Sequence, residues 1–343
     1  MTEQLPTHGT DATAPVLKGP KRQHYLPRFF LKGFVGADGC LAVYDREKNE
    51  VRRQQPVNTG AVGHLYTLTD DQGRQRFDLE QALSEVEAAA AEHLPALISG
   101  QPLSFEARGA LAHFFGTLAV RTPEFIQSIQ HFNGELIKTT SRIMFSTVEQ
   151  AQRALRNNPG HAELGSVEIL KMAHDMVDFT ERGEYEVETD PQWAVTLALP
   201  MGEEIAQIMA ERYWRVWKAP AGSAFVVADA PTVLTPNGPR PKGMMGLGFG
   251  SRDALTLLPL CSTHALAMFG ERRKNDLESV DRRTVRRLNI ELAKRSQRFL
   301  MGRDDALIAS IARIAKLAET SWESKLGMTP RLTAATREAT DTL

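Results

Sequence analysis

The sequence predicts an α+β protein, and three observations carry that expectation. Strand-like segments come first, then a helical block, then strands again, then helices, with no alternation of βαβ units. The apolar period changes from about two to about 3.6 at Asp78 and returns to short apolar runs after Glu211. Turn-forming residues gather at the boundaries between these segments. The 343 residues, 42% of them hydrophobic, are enough for one large core or two smaller ones. The expectation is a single α+β domain over residues 21–326 with a mainly helical middle over about 78–211. A disordered tail over 1–20 and a flexible tail over 327–343 flank it.

Each element has a local reason. From Leu41, LAVYD, the polar turn REKN and then EVRRQQ read as a hairpin, and LYTL from Leu65 as a third short strand, so that a small antiparallel sheet opens the fold. Asp78 with Gln81 three positions on reads as a capping box. Leu79, Leu83, Val86, Ala90, Leu94 and Leu97 then follow at helical spacing up to Gly100. Ser104 caps the next helix, which stops where Thr122-Pro123-Glu124 provides a new cap, a proline in the first turn and an acid favoured by the helix dipole. Further helices follow to Phe179, broken at Asn157-Asn158-Pro159-Gly160, and another runs from Pro191 to Glu211. YWRVW, AFVVAD, LTLLPL and HALAMFG are short apolar runs between glycine and proline loops and predict a second antiparallel sheet. A helix over Asp281–Gln297, the short apolar RFLMG and a last helix over about Asp304–Leu326 close the chain.

Charge and composition exclude several classes. The 41 basic and 42 acidic side chains nearly cancel, so any nucleic-acid site must be local. Cys40 and Cys261 lie far apart, outside any zinc-type cluster. With no signal-peptide core and no apolar run of membrane-spanning length, a reducing cytoplasm is the expected location, with no membrane partner. The loop from Thr235 contains Gly246, Gly248 and Gly250 but has neither dinucleotide-binding nor P-loop spacing, and reads as a long loop or lid beside Asp229.

The run QHYLPRFFLKGF at Gln23 is the most distinctive segment. VYDR at Val43, PVN at Pro56, LYTL at Leu65, FDLEQALSEVE at Phe77, RTP at Arg121, FVVADAP at Phe225, LPL at Leu258 and RLN at Arg287 follow it in order. Together these blocks, over about residues 21–303, resemble the bacterial domain-of-unknown-function family 4238. Where that family commonly has Ser or Thr before the aspartate of its Asp-x-Pro block, this chain has Ala228. The resemblance implies a set of matched positions and supplies no mechanism.

Several polar residues stand where a solvated surface would not need them. His24 is suited to acid/base work or to anchoring the first segment together with Tyr25. Asp229 ends an apolar run, as a functional acid or a turn former does. Arg121, at the end of a helix, can hold a carboxylate or phosphate in a bidentate fork, or bond the last helix carbonyls. Glu80 and Glu87, seven apart, share a helix face and could hold Mg²⁺, although such pairs are usually solvated. Arg282, Arg283, Arg286 and Arg287 form a basic face that could neutralise phosphates or simply be a charged exterior.

Three functional readings follow. The first is a hydrolase acting on a phosphate-containing or other anionic substrate. In it, His24 is the acid/base, Asp229 orients it or binds a metal, Arg28 and Arg121 hold the anion, and Tyr25 and Asn289 add contacts. The second is a nucleic-acid or protein-binding module that uses the Arg282–Arg287 face. The third gives the matched polar residues structural roles only.

Overall fold

The computed structural model describes residues 15–238, 246–270 and 274–319. In chain order, β1 (Arg22–His24) leads into a single helical turn, α1 (Arg28–Leu31). The hairpin β2 (Leu41–Asp45) and β3 (Glu50–Gln54) turns at Asn49, which takes φ +52° as an asparagine readily can. Short strands β4 (Ala61–Gly63), β5 (Leu68–Thr69) and β6 (Gln75–Arg76) precede the helices α2 (Asp78–Ile98), α3 (Phe105–Val120), α4 (Pro123–Met144), α5 (Val148–Arg156), α6 (Ser166–Arg182) and α7 (Pro191–Glu211). Then come β7 (Tyr213–Lys218), β8 (Val227–Ala228), β9 (Val233–Pro236), β10 (Ala254–Cys261), β11 (His264–Phe269) and β12 (Asn275–Ser279). The chain continues through α8 (Arg282–Arg295), β13 (Phe299–Gly302) and α9 (Asp305–Ile314).

The α+β expectation holds, and the strand order shows how the halves join. One sheet has the order β12-β7-β11-β10-β9, antiparallel except at its edge, where β12 runs parallel to β7. A second has the order β3-β2-β13-β8, and β1-β4 and β5-β6 form two-stranded sheets. The amino-terminal hairpin is therefore not a sheet of its own: β2 pairs with β13 in the register Val43 with Met301 and Tyr44 with Leu300. The third strand expected from Leu65 is reduced to Leu68–Thr69 and pairs only with β6.

Side-chain alternation sorts the core into two clusters. Leu258, Leu266, Met268 and Val216 pack with the helical block around Phe114, Phe115 and Ala198, while Leu257, Ala265 and Ala267 pack with Leu288, Leu292 and Ile308 of α8 and α9. Sheet residues thus bury both faces, which is why β10 and β11 read as near-continuous apolar runs.

Helix caps follow the sequence in most places. Ser104 accepts the Ala107 N–H at 3.0 Å, Thr122 accepts that of Phe125 at 3.3 Å, and Asp281 accepts that of Thr284 at 2.8 Å. The box at Asp78 does not form. The N-cap of α2 is Phe77 with no side-chain cap, because the Asp78 carboxylate takes the Val16 N–H at 3.1 Å and the Arg76 guanidinium. Val16 also accepts the Phe77 N–H at 2.8 Å, so the ordered body begins at or before Val16 and not at residue 21. At the other end α9 stops at Ile314, two residues before Lys316 takes φ +54°; residues 320–326 of the expected helix lie outside the described residues.

α3 and α7 make the closest helix contact of the middle block. A Cβ on Gly116 would lie 2.7 Å from the Ala206 nitrogen, and one on Gly202 3.0 Å from a Val120 methyl and 3.1 Å from the Thr117 Cα. Backbone cannot yield there as a flexible side chain would. Gly116→Ala is expected to lower stability by about 1–3 kcal/mol, checked by urea unfolding.

Candidate functional site

β1 crosses the body of the protein on the carbonyl of Gly60. The Tyr25 and Leu26 N–H groups both donate to it, at 2.9 and 3.2 Å. Gly60 holds φ +66°, and a Cβ there would lie 2.9 Å from the Leu26 Cβ, so the crossing needs glycine. From this point the His24 and Tyr25 side chains take up different surroundings.

Tyr25 lines a cleft of 440 Å³ whose walls come from separate parts of the chain. Arg22 enters from β1, Arg52 from β3, Asn58 from the turn before β4, Gln127 from α4, and Arg298 from just before β13, with Asp229 among the lining residues. The phenol of Tyr25 is buried and has no hydrogen-bond partner among the described residues; burial, then the nearby Asp229, pushes its pKa well above the usual value.

Arg52 and Arg298 share one counter-ion, the fully buried Asp45, at 3.5 and 3.3 Å. Their guanidinium carbons lie 5.9 and 4.8 Å from the centre of the Phe299 ring. Arg298 also meets exposed Glu47 at 2.8 Å, and the Arg52 Nε–H is enclosed with no acceptor among the described residues. Arg22 has no carboxylate partner there and bonds the Asn58 side chain and carbonyl at 3.3 and 3.2 Å. Arg52 and Arg298 were not singled out from the sequence, yet a signal existed. The alternation of LAVYD puts Asp45 in phase with Leu41 and Val43 on the core face, where a carboxylate needs cations.

Asp229 is spent on the backbone. Its two oxygens accept N–H groups from Ala230, Gln297, Arg298 and Phe299 at 3.1, 2.8, 2.6 and 2.8 Å. Burial pushes its carboxyl up against the downward pull of these four donors. No acceptor position is left to orient an imidazole.

The His24 ring is half-buried, with Nε2 3.3 Å from the Val57 carbonyl, and shares no hydrogen bond with Asp229. Burial lowers its pKa, as do Arg28, Arg22 and Arg121, against the raising effect of Val57, so the ring is neutral near pH 7. Arg28, the first residue of α1, is exposed and reaches His24 only through its charge.

Arg121 and His24 do meet, through the backbone. The Arg121 guanidinium, 1% exposed, bonds the His24 carbonyl and pairs with Glu87 at 2.8 Å, while the Tyr66 hydroxyl donates to the Arg121 carbonyl at 2.6 Å. Burial pulls the Arg121 pKa down, but Tyr66 and Glu87 outweigh it and keep the cation. The arginine fastens helices to β1; it does not cap its own helix carbonyls. Glu87 is thereby neutralised from within, and Glu80 beside it has its carboxyl raised by burial. Among the described residues no group of three or more His, Cys, Asp or Glu is placed to hold a metal ion.

Glu124, read from the sequence only as a favourable first-turn acid, is a strongly perturbed carboxyl beside the cleft. Burial, then Asp229, pushes it up to about 7 against the pull of Arg295. It follows Pro123 and precedes Gln127, both cleft residues.

The remaining candidates lie elsewhere. The Asn289 amide bridges the Val226 N–H and the Ala224 carbonyl, at 3.0 and 2.8 Å, as a strand would, and the residue lines the groove between α8 and α9 and not the Tyr25 cleft. Arg282, Arg283, Arg286 and Arg287 are exposed, but only Arg282 and Arg286 line the groove between α8 and α9. The Thr235 loop is described only up to Gly238 and again from Gly246, and the rest of the expected lid lies outside the described residues.

The geometry defines an α+β protein with a polar, arginine-walled cleft where its two ends meet. The family described as "Protein of unknown function (DUF4238)" matches residues 22–306, and the chain belongs to it. No curated protein and no solved structure matches the chain. No helix among the described residues is long and apolar enough to cross a membrane.

Two consequences are measurable. Asp229→Asn sets an amide N–H₂ against backbone donors and is expected to cost about 2–4 kcal/mol in chemical denaturation. For Glu124, the folded protein holds a proton that the unfolded chain releases between pH 4.5 and about 7. Its contribution to stability is therefore present below pH 4.5 and declines as pH rises to about 7. Glu124→Gln is expected to be more stable than the parent by about 1–2 kcal/mol at pH 8, with the gap closing toward pH 5 in thermal melts.

Proposed function

We propose that the protein binds a hydrophilic, phosphate-bearing small molecule in the Tyr25 cleft. One observation carries the reading: three guanidiniums, those of Arg22, Arg52 and Arg298, converge with the unbonded Tyr25 hydroxyl in 440 Å³, a volume suited to a small ligand. Arg52 and Arg298 share the buried Asp45, Arg298 also meets the exposed Glu47, and Arg22 has no carboxylate among the described residues, so the Arg52 Nε–H and the Arg22 guanidinium keep donors for an anion. The amides of Asn58, Gln127 and Gln297 supply both donors and acceptors for its uncharged part. The two free cysteines, Cys40 and Cys261, support a reducing cytoplasm as the setting.

A hydrolytic step is the second reading, favoured by His24. Its neutral ring donates from Nε2 to Val57 and so keeps Nδ1 as a base, in the strand that also carries Arg22. Asp229 does not serve as its partner, and Arg121 acts only by positioning β1.

Calorimetric titration with inorganic pyrophosphate tests the binding reading. Arg22→Gln, which breaks no ion pair, is expected to weaken binding about tenfold with an unchanged melting temperature. Equal affinity in parent and variant overturns the assignment. Release of p-nitrophenol from p-nitrophenyl phosphate tests the second reading: His24→Gln is expected to cut turnover by about 100-fold or more. A parent protein without turnover removes the hydrolytic step and leaves the binding site standing.

A further inference from the structure

The groove between α8 and α9 is a second site of different character. Its volume is 490 Å³. Arg282, Arg286 and Arg303 stand over a floor built from Val285, Leu307 and Ile311. No carboxylate lies within ion-pair distance of the three arginines among the described residues, and the side chains of Arg286 and Arg303 bond nothing there. Asp304, the one acid of the lining, is occupied: its carboxylate caps α9 by accepting the Leu307 N–H at 2.8 Å. Arg282 is steadied by the Ala221 carbonyl at 3.3 Å.

Cations left unpaired beside aliphatic side chains are not what a solvated surface requires. Other arginines of the molecule do meet carboxylates, as Arg53 does with Asp38 and Asp305, and Arg215 with Asp276 and Glu278, whereas three unpaired ones gather here in one groove. The floor is aliphatic and contains no aromatic ring on which a nucleobase could stack. Splitting the arginine face, with Arg282 and Arg286 in the groove and Arg283 and Arg287 outside it, favours an enclosed small ligand over an extended polyanion.

We propose that the α8/α9 groove binds an alkyl phosphate, its phosphate on Arg286 and Arg303 and its hydrocarbon on Val285, Leu307 and Ile311. The site is independent of the Tyr25 cleft: the two share no lining residue.

The test is calorimetric titration of the full chain with hexyl phosphate, with inorganic phosphate and 1-hexanol titrated separately. Hexyl phosphate is expected to bind at least tenfold more tightly than either, because each half of the groove contributes. The double variant Arg286→Gln/Arg303→Gln is expected to weaken it at least tenfold, while Arg22→Gln leaves it unchanged. Thermal melts verify that the double variant, which removes no internal bond among the described residues, stays folded. Inorganic phosphate binding as tightly as hexyl phosphate overturns the proposal, as does a double variant with parental affinity. Loss of hexyl phosphate binding in Arg22→Gln alone places the probe in the Tyr25 cleft and also overturns it, leaving the first reading intact. A single-stranded 20-mer DNA that binds the parent and is released by Arg283→Gln/Arg287→Gln, with no hexyl phosphate binding, assigns the face to nucleic acid instead.

Discussion

Four backbone N–H groups meet on the carboxylate of Asp229, and the union of the two halves of the chain depends on that meeting. The segment Gln297–Phe299 must leave α8 and enter β13 in a fixed register, and three of the four donors belong to it. With those donors satisfied, β13 lies between β2 and β8, and the amino-terminal hairpin gains the partner that buries Leu41 and Val43. The same placement puts Arg298 beside Asp45 and opens the cleft above Tyr25. A buried carboxylate is tolerable here because every lone pair is used.

Arginine plays a comparable part in the helical block, again by bonding the main chain. Arg121 joins the end of α3 to the His24 carbonyl and to Glu87 of α2. Arg108 reaches the carbonyls of Ala210 and Arg212 past the face of Trp214, and Arg212 reaches those of Gly270, Phe249 and Ser251. Each guanidinium satisfies carbonyls at places where elements end and no ladder partner exists. Buried charge in this protein therefore marks junctions, and its presence alone identifies no chemistry.

That distinction explains which parts were legible in the sequence. Caps such as Ser104 and Thr122 were readable because they act on residues three positions away. The box at Asp78 failed because Val16 and Arg76 compete for the same carboxylate, a tertiary effect invisible to spacing. The sequence directed attention to His24, Arg121 and Asp229, and each proves to be strongly constrained. Its reading of them as one catalytic set did not foresee that Asp229 is consumed by Gln297–Phe299 or that Arg121 bonds Glu87 and a carbonyl through Nη2, with its Nε and Nη1 buried and unbonded among the described residues. Arg22, Arg52, Arg298 and Arg303 went unmarked because a surface arginine and a cleft arginine look alike until the strands are paired. Asp45 also went unmarked, although its place in the inward phase of β2 was a readable signal.

The pairing of β2 with β13 has a consequence for the order in which the protein can be made. A ribosome delivers the hairpin of residues 41–54 early, yet the strand that completes its sheet contains Phe299–Gly302. Until Phe299–Gly302 have emerged, the free edge of β2 has no native partner. Helices α2 to α7, whose contacts are local, can form during that interval, whereas the central sheet must wait. The nascent chain thus passes through a long stage with an exposed strand edge, and truncation before residue 299 leaves that edge permanently open to pairing with other chains.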